Sequence, residues 1–322
     1  MDLTLRQIYR ARKNLKSIVV PTPLTLSHGL SGISGGRVYL KWENFQKTGS
    51  FKLRGAFQKM LSMGREELSA GVVAASAGNH AQGVAYGARV LGIPATAVMP
   101  VPTPRVKVEN TEHLGARVIL HGENYDEAYV HCMELVASTG MTYIPAFEDV
   151  EVMAGQGTIA LEILDSLPET DMILVPVGGG GLISGIAVAA KAIHPRIEVI
   201  GVQSTRACTM YHCYKAGKIV SVPVVPTLAE GLAGGIDPIT LKIVQETVDD
   251  MILAEEELLA ETIRWILAHE GQVVEASGVV GVAAILQGRV RGMKKRNVVV
   301  VISGGNIDMN LLRCIMVTSS LR

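Results

Sequence analysis

The chain reads as an α/β protein built on open, twisted, mostly parallel sheets flanked by helices, and three features of its 322 residues say so. Short apolar, β-branched runs recur at residues 38–42, 71–75, 95–99, 116–120, 172–177, 198–202 and 297–302. Longer stretches lie between them at 79–91, 125–138, 152–167, 182–193, 255–269 and 278–290, several with apolar residues three to four apart. Continuous apolar strands are buried on both faces, and helical crossovers between parallel strands bury them so. The third feature is that glycine-rich loops follow the strands, where open α/β sheets collect ligands.

In chain order, a lysine-bearing turn at residues 48–56 comes after the first run, and Ser76 to Gly83 joins the 71–75 run to the 79–91 helix. Gly178, Gly179, Gly180 and Gly181 end the 172–177 strand and open the 182–193 helix. Lys294, Lys295 and Arg296 form a solvated turn before the last strand, which Ser303-Gly304-Gly305-Asn306 closes, and the tail at 317–322 is expected to fray. No repeat, low-complexity segment or long linker interrupts the series, so a domain boundary here is a cleft between two sheets rather than a tether.

Composition narrows the function classes. With 48% apolar residues the chain buries a large core, and disorder is excluded. Thirty basic and thirty acidic residues cancel, leaving no net field to recruit nucleic acid or an anionic membrane. No apolar run reaches the roughly 18 residues of a membrane span, and the N-terminal residues lack the apolar stretch of a signal peptide. Cys132, Cys208, Cys213 and Cys314 show neither zinc spacing nor a disulfide framework, which suits a reducing cytosol. A cytoplasmic protein is expected.

Lys52, between Phe51 and Leu53, is the residue chosen for chemistry. An amine attacks carbonyls only when neutral, and an apolar setting disfavours the ammonium form. The bland alternative is a solvated lysine at a helix start. The four consecutive glycines place bare amides at the positive end of a helix, an anion cradle. A tight turn also uses glycine, but four in a row cost much backbone entropy. The window fails the G-x-G-x-x-G fingerprint and no P-loop is present, which argues against NAD and ATP. Ser76, Gly78, Asn79 and His80 offer a hydroxyl, amides and an imidazole at another helix start, either a carboxylate site or a helix cap by Ser76 or Asn79. Ser303 offers a neutral hydrogen bond at the last strand's end, or belongs to a turn. One lysine and three glycine-rich loops at strand ends match the needs of a phosphorylated aldehyde cofactor.

This set of motifs, in this order, resembles the fold-type II pyridoxal-phosphate enzymes (tryptophan synthase β-like), and within them the threonine dehydratases of short, catabolic form, from about Leu5 to Asn310. The resemblance implies that Lys52 carries pyridoxal 5'-phosphate, with Phe51 against the ring, Asn79 on the ring hydroxyl and Ser303 facing the pyridine nitrogen. It implies that the amides of Gly178, Gly179, Gly180 and Gly181 hold the phosphate, and that Ser76 with the amides of Gly78, Asn79 and His80 holds the substrate carboxylate. The implied architecture is a large domain of residues 1–67 and 147–322, a small domain of 68–146, and an active site in the cleft. The implied reaction is β-elimination of the hydroxyl from L-threonine or L-serine, giving a 2-oxo acid and ammonia, by a homodimer or homotetramer.

Departures from the family pattern matter as well. Serine racemases resemble this chain but carry a serine where it has Ala77, which has no proton to give, so dehydration is favoured over racemisation. Where relatives bind a monovalent or divalent cation, Pro226 replaces the first carboxylate, leaving Glu230 as a ligand candidate or a solvated loop residue. Glu275 departs from the family's Glu-Pro pattern. Two other readings stand beside dehydration of threonine: a dehydratase of 3-hydroxyaspartate or phenylserine, or a racemase, and a non-catalytic small-molecule binder on the same scaffold.

Overall fold

Ten strands form two separate sheets in the computed structural model, which describes residues 3–223 and 225–317. They are β1 (Leu24–Ser27), β2 (Arg37–Trp42), β3 (Val72–Ala75), β4 (Ala95–Met99), β5 (Arg117–Leu120), β6 (Thr142–Tyr143), β7 (Met172–Pro176), β8 (Glu198–Ser204), β9 (Asp250–Ala254) and β10 (Asn297–Ile302). The larger sheet runs β1-β2-β10-β7-β8-β9 and the smaller β5-β4-β3-β6. Every pairing is parallel except β1 with β2. Burial follows from that topology: all six residues of β10 and all five of β7 are buried, as strands covered on both faces must be.

The strands that the apolar runs do not announce are β1, β6 and β9. β1 is an antiparallel edge with only Ser27 buried, β6 has two residues, and β9 is a partly exposed edge. Each lacks the doubly buried surface that writes a continuous apolar run. The expected helix at 255–269 begins as a 3-10 turn, Glu256–Leu258, before the helix Leu259–Glu270. The cause is the buried Glu256 carboxylate, which accepts from the hydroxyls of Ser204 and Thr227 and from Leu228 N–H. The helix expected at 278–290 runs Ala276–Leu286 and is followed by Gly288 in the left-handed region at φ 65°. Residues 318–322 of the tail expected to fray lie outside the described residues. Cys132, Cys208 and Cys213 are buried free thiols and Cys314 is exposed. No helix among the described residues is long and apolar enough to cross a membrane.

Two devices fix the helix Lys52–Leu61. It packs backbone to backbone on the helix Val150–Ser166, where a Cβ on Gly155 would run into the carbonyl of Arg54. Beneath its first turn lies a largely buried ionic cluster. The Arg54 guanidinium, fully buried, takes both Glu43 oxygens at 2.8 and 2.9 Å and both Glu162 oxygens at 2.6 and 2.9 Å. Lys41 Nζ adds a bond to Glu162 at 2.6 Å, and Thr22 donates to Glu43 at 2.5 Å. Two cations face two anions, so the cluster is neutral. Burial pushes the Glu162 carboxyl up, but Arg54 and Lys41 outweigh it and hold the group below the usual carboxylate range.

Removing one member strands a buried charge. Arg54→Ala is therefore expected to lower the free energy of unfolding by about 3–5 kcal/mol, read from urea denaturation of the apoprotein. A loss under about 1 kcal/mol, the ordinary worth of an exposed pair, would show that the cluster does not anchor the helix.

Candidate active site

Lys52 is the first residue of its helix, and the chain before it is stapled to the end of β10. Ser50 forms an antiparallel bridge with Gly304, and Phe51 N–H donates to the Ser303 carbonyl at 3.1 Å. Lys52 keeps some exposed surface, yet its amine lies deep enough that burial lowers it to about 8, against the pull of the Glu148 carboxylate. Nζ donates to the Ala146 carbonyl at 2.9 Å and stands 5.4 Å from the centre of the Phe51 ring. Of the apolar neighbours that the sequence offers, Phe51 lies beside the amine, and a distant loop, residues 146–148, adds a carbonyl and the Glu148 carboxylate.

That loop also reaches the four glycines. The Phe147 ring lies on Gly179, where a Cβ would come within 2.6 Å of three ring atoms, and a Cβ on Gly181 would meet the Phe147 backbone at 2.9 Å. Gly180 is the N-cap of the helix Gly181–Ile193, left-handed at φ 97°, and no side chain caps that terminus. Both the turn and the close approach thus require glycine, and the positive helix end keeps its amides uncapped by side chains. Lys52 and the cradle are joined through consecutive residues, Ala146 and Phe147.

The helix Asn79–Leu91 starts on the other side. Its N-cap is Gly78, with no side-chain cap, so neither Ser76 nor Asn79 serves as the helix cap that was the alternative reading. Ser76 Oγ instead accepts from Gly78 N–H at 3.2 Å, within its own loop. Asn79 Nδ2 donates to Glu275 Oε1 at 2.7 Å, while Asn79 Oδ1 accepts from Asn306 Nδ2 at 2.7 Å. Burial raises the Glu275 carboxyl to about 7, against the Asn79 N–H and the Lys107 ammonium and with Glu230 adding to the rise. His80 is buried, and its Nε2 lies 2.8 Å from the Ile144 carbonyl, which can only accept, so Nε2 carries the proton. Burial and the nearby Lys52 charge lower the ring to about 3, and it is neutral.

Ser303 is buried at the end of β10 beside Phe51. Glu230, the expected cation ligand, lies in the 3-10 turn Glu230–Leu232 with a largely exposed carboxylate that pairs with Lys107 Nζ at 2.7 Å. Its charge is met by an ammonium of the same chain, and among the described residues no group of three or more His, Cys, Asp or Glu could hold a metal. Phe147, Glu148 and Asn306 carry no role in the sequence reading and Glu275 appears there only as a departure. Their signal was position alone: Phe147 and Glu148 just before the helix Val150–Ser166, Glu275 at a helix start and Asn306 after the last glycines.

A dry amine beside a cradle of bare amides suits an enzyme that carries a phosphorylated aldehyde on its lysine. Residues 15–304 match the family described as Pyridoxal-phosphate dependent enzyme, and the chain belongs to it. It is 47% identical over 311 residues to the L-threonine ammonia-lyase of Thermotoga maritima, covering 96% of this chain and 77% of that protein. Against the catabolic L-threonine dehydratase TdcB of Escherichia coli the identity is 40% over 312 residues, with 96% and 95% covered. The solved structure of maize serine racemase superposes with a TM-score of 0.94 at 33% identity, covering 98% of each chain. The two-sheet α/β architecture is that of fold-type II pyridoxal-phosphate enzymes.

The lowered amine has a measurable consequence. Only the neutral form attacks an aldehyde, so the rate at which apoprotein captures pyridoxal phosphate should rise with pH through about 8 and level off above it. Stopped-flow absorbance checks this, and a midpoint near the ordinary lysine value of about 10.4 would contradict the burial of the amine.

Proposed function

We propose that the chain is a pyridoxal-phosphate-dependent L-threonine ammonia-lyase, also acting on L-serine, that yields 2-oxobutanoate or pyruvate and ammonia. The observation that carries the reading is 47% and 40% identity, along 96% of this chain, to proteins named for this activity, in a chain whose Lys52 amine is lowered by burial to about 8.

Bound in the cleft, the cofactor supplies the electron sink that lets the α-C–H bond of an amino acid break. Lys52 Nζ would hold it and, once freed as the neutral amine, would accept the α-proton, while the β-hydroxyl takes up a proton and leaves as water. The amides of Gly178, Gly179, Gly180 and Gly181 would bind the phosphate, and Phe51 would lie against the ring. The hydroxyl of Ser303 would meet the pyridine nitrogen without a charge, so it would not hold a proton there, which favours elimination of the β-hydroxyl over transamination. Ser76 with the amides of Gly78, Asn79 and His80 receives the substrate carboxylate at an uncapped helix start. The aminocrotonate or aminoacrylate released is hydrolysed by water to the 2-oxo acid and ammonia.

Residues 68–146, which contain the whole smaller sheet, would move as a small domain against 1–67 and 147–322 and carry the Ser76 to His80 loop onto substrate, excluding water. Function as a cytoplasmic homodimer or homotetramer on a small amino acid belongs to the same reading.

Serine racemisation is the second reading, favoured by the structural likeness to maize serine racemase. Ala77 argues against it, having no proton to deliver to the opposite face. Release of 2-oxo acid from L-threonine is expected from the holoprotein and should fall to background in Lys52→Ala. L-serine is expected to give pyruvate without D-serine. D-serine as the main product would favour the racemase, and turnover of 3-hydroxyaspartate or phenylserine alone would move the substrate class.

A further inference from the structure

Glu275 has no part in the scheme above, yet it touches the residue placed on the cofactor's ring oxygen. It is the N-cap of the helix Ala276–Leu286, and its Oε1 accepts from Asn79 Nδ2 at 2.7 Å. From the other side Asn306 Nδ2 donates to Asn79 Oδ1 at 2.7 Å, and it also reaches the Thr48 carbonyl at 2.8 Å and Gln82 Oε1 at 3.2 Å. The two contacts define the orientation of the Asn79 amide. A flip would set its oxygen against the Glu275 oxygen and its NH2 against the NH2 of Asn306, losing both bonds. Among the described residues the second hydrogen on Asn79 Nδ2 has no protein acceptor, so it is the donor this amide has left to offer.

The carboxyl has a place prepared for it. A Cβ on Gly304 would run into Glu275 Oε1, and the same glycine bridges Ser50, two residues before Lys52. Glu275 N–H donates to the Gly304 carbonyl at 3.2 Å. One glycine therefore keeps the lysine turn and the Glu275 side chain in register.

We propose that Glu275 is a positioning residue for the cofactor ring: with Asn306 it locks the Asn79 amide so that one Nδ2 hydrogen is presented to the ring oxygen. This rests on the reading of Asn79 as the ring-oxygen donor. The charge of Glu275 is not what the proposal needs; an acceptor at that point is.

The test is a double-mutant cycle on the dissociation constant of pyridoxal phosphate, read by absorbance titration of apoprotein and so independent of turnover. Glu275→Ala is expected to weaken binding about tenfold, the loss of about one net hydrogen bond. Glu275→Gln keeps an acceptor and should stay within about twofold. The double variant Asn79→Ala/Glu275→Ala should bind no more weakly than Asn79→Ala alone, because one residue acts through the other. Natural affinity in Glu275→Ala, equal losses in the alanine and glutamine variants, or additive losses in the double variant would overturn the proposal. Should Glu275→Ala fail to fold, Glu275→Asp keeps the charge, is one methylene shorter, and carries the same expectation. If Asn79→Ala itself binds with natural affinity, the ring-oxygen reading of Asn79 falls and the proposal with it; if only the Glu275 variants are silent, the proposal falls alone.

Discussion

The chemistry available to this chain depends on keeping one amine dry. An exposed lysine is almost wholly an ammonium near neutral pH and cannot attack a carbonyl. Burying it takes segments from far apart in sequence: β10 holds the preceding turn, the 146–148 loop reaches the amine, and the helix Val150–Ser166 lies under the first turn. The cluster of Arg54, Glu43, Glu162 and Lys41 lets that turn be held in a buried place without an unpaired charge. Polar anchoring and apolar cover serve the same end, since the ion pairs fix geometry while burial sets the amine.

The glycines read as the complement of this anchoring. Where the lysine needs bulk around it, the phosphate side needs backbone with nothing attached, and Phe147 closes over that backbone so tightly that a methyl group does not fit on Gly179. The residues linking the two sides, Ala146 and Phe147, follow the last strand of the smaller sheet, so connections from both sheets meet at the lysine. The same holds at the other rim, where Asn79 beyond β3 meets Glu275 and Asn306 around the end of β10, and Lys107 meets Glu230.

Much of this was legible from the sequence because burial writes a plain signal. The doubly covered β7 and β10 are unbroken apolar runs, and β4, β10 and the helix Asn79–Leu91 have the bounds that the pattern predicts. The edge strands β1 and β9 and the two-residue β6 were not legible, because half-exposed or very short strands carry no such run. At the site, Lys52 and the glycines stood out by residue type and position. Glu275, Phe147 and Asn306 did not, since their importance lies in contacts between segments as much as 227 residues apart, as between Asn79 and Asn306. The partner of Glu230, the candidate cation ligand, was not legible for a related reason: Lys107 comes from a distant helix, and a local motif cannot announce that pairing.

The chemistry turns on which amine carries the cofactor. Borohydride reduction of the pyridoxal-phosphate-loaded protein fixes the cofactor to that amine, and peptide mass spectrometry locates it. The modification is predicted on Lys52 and on no other lysine. Its appearance on a different lysine, or its absence from a protein that binds pyridoxal phosphate stoichiometrically, would contradict the account.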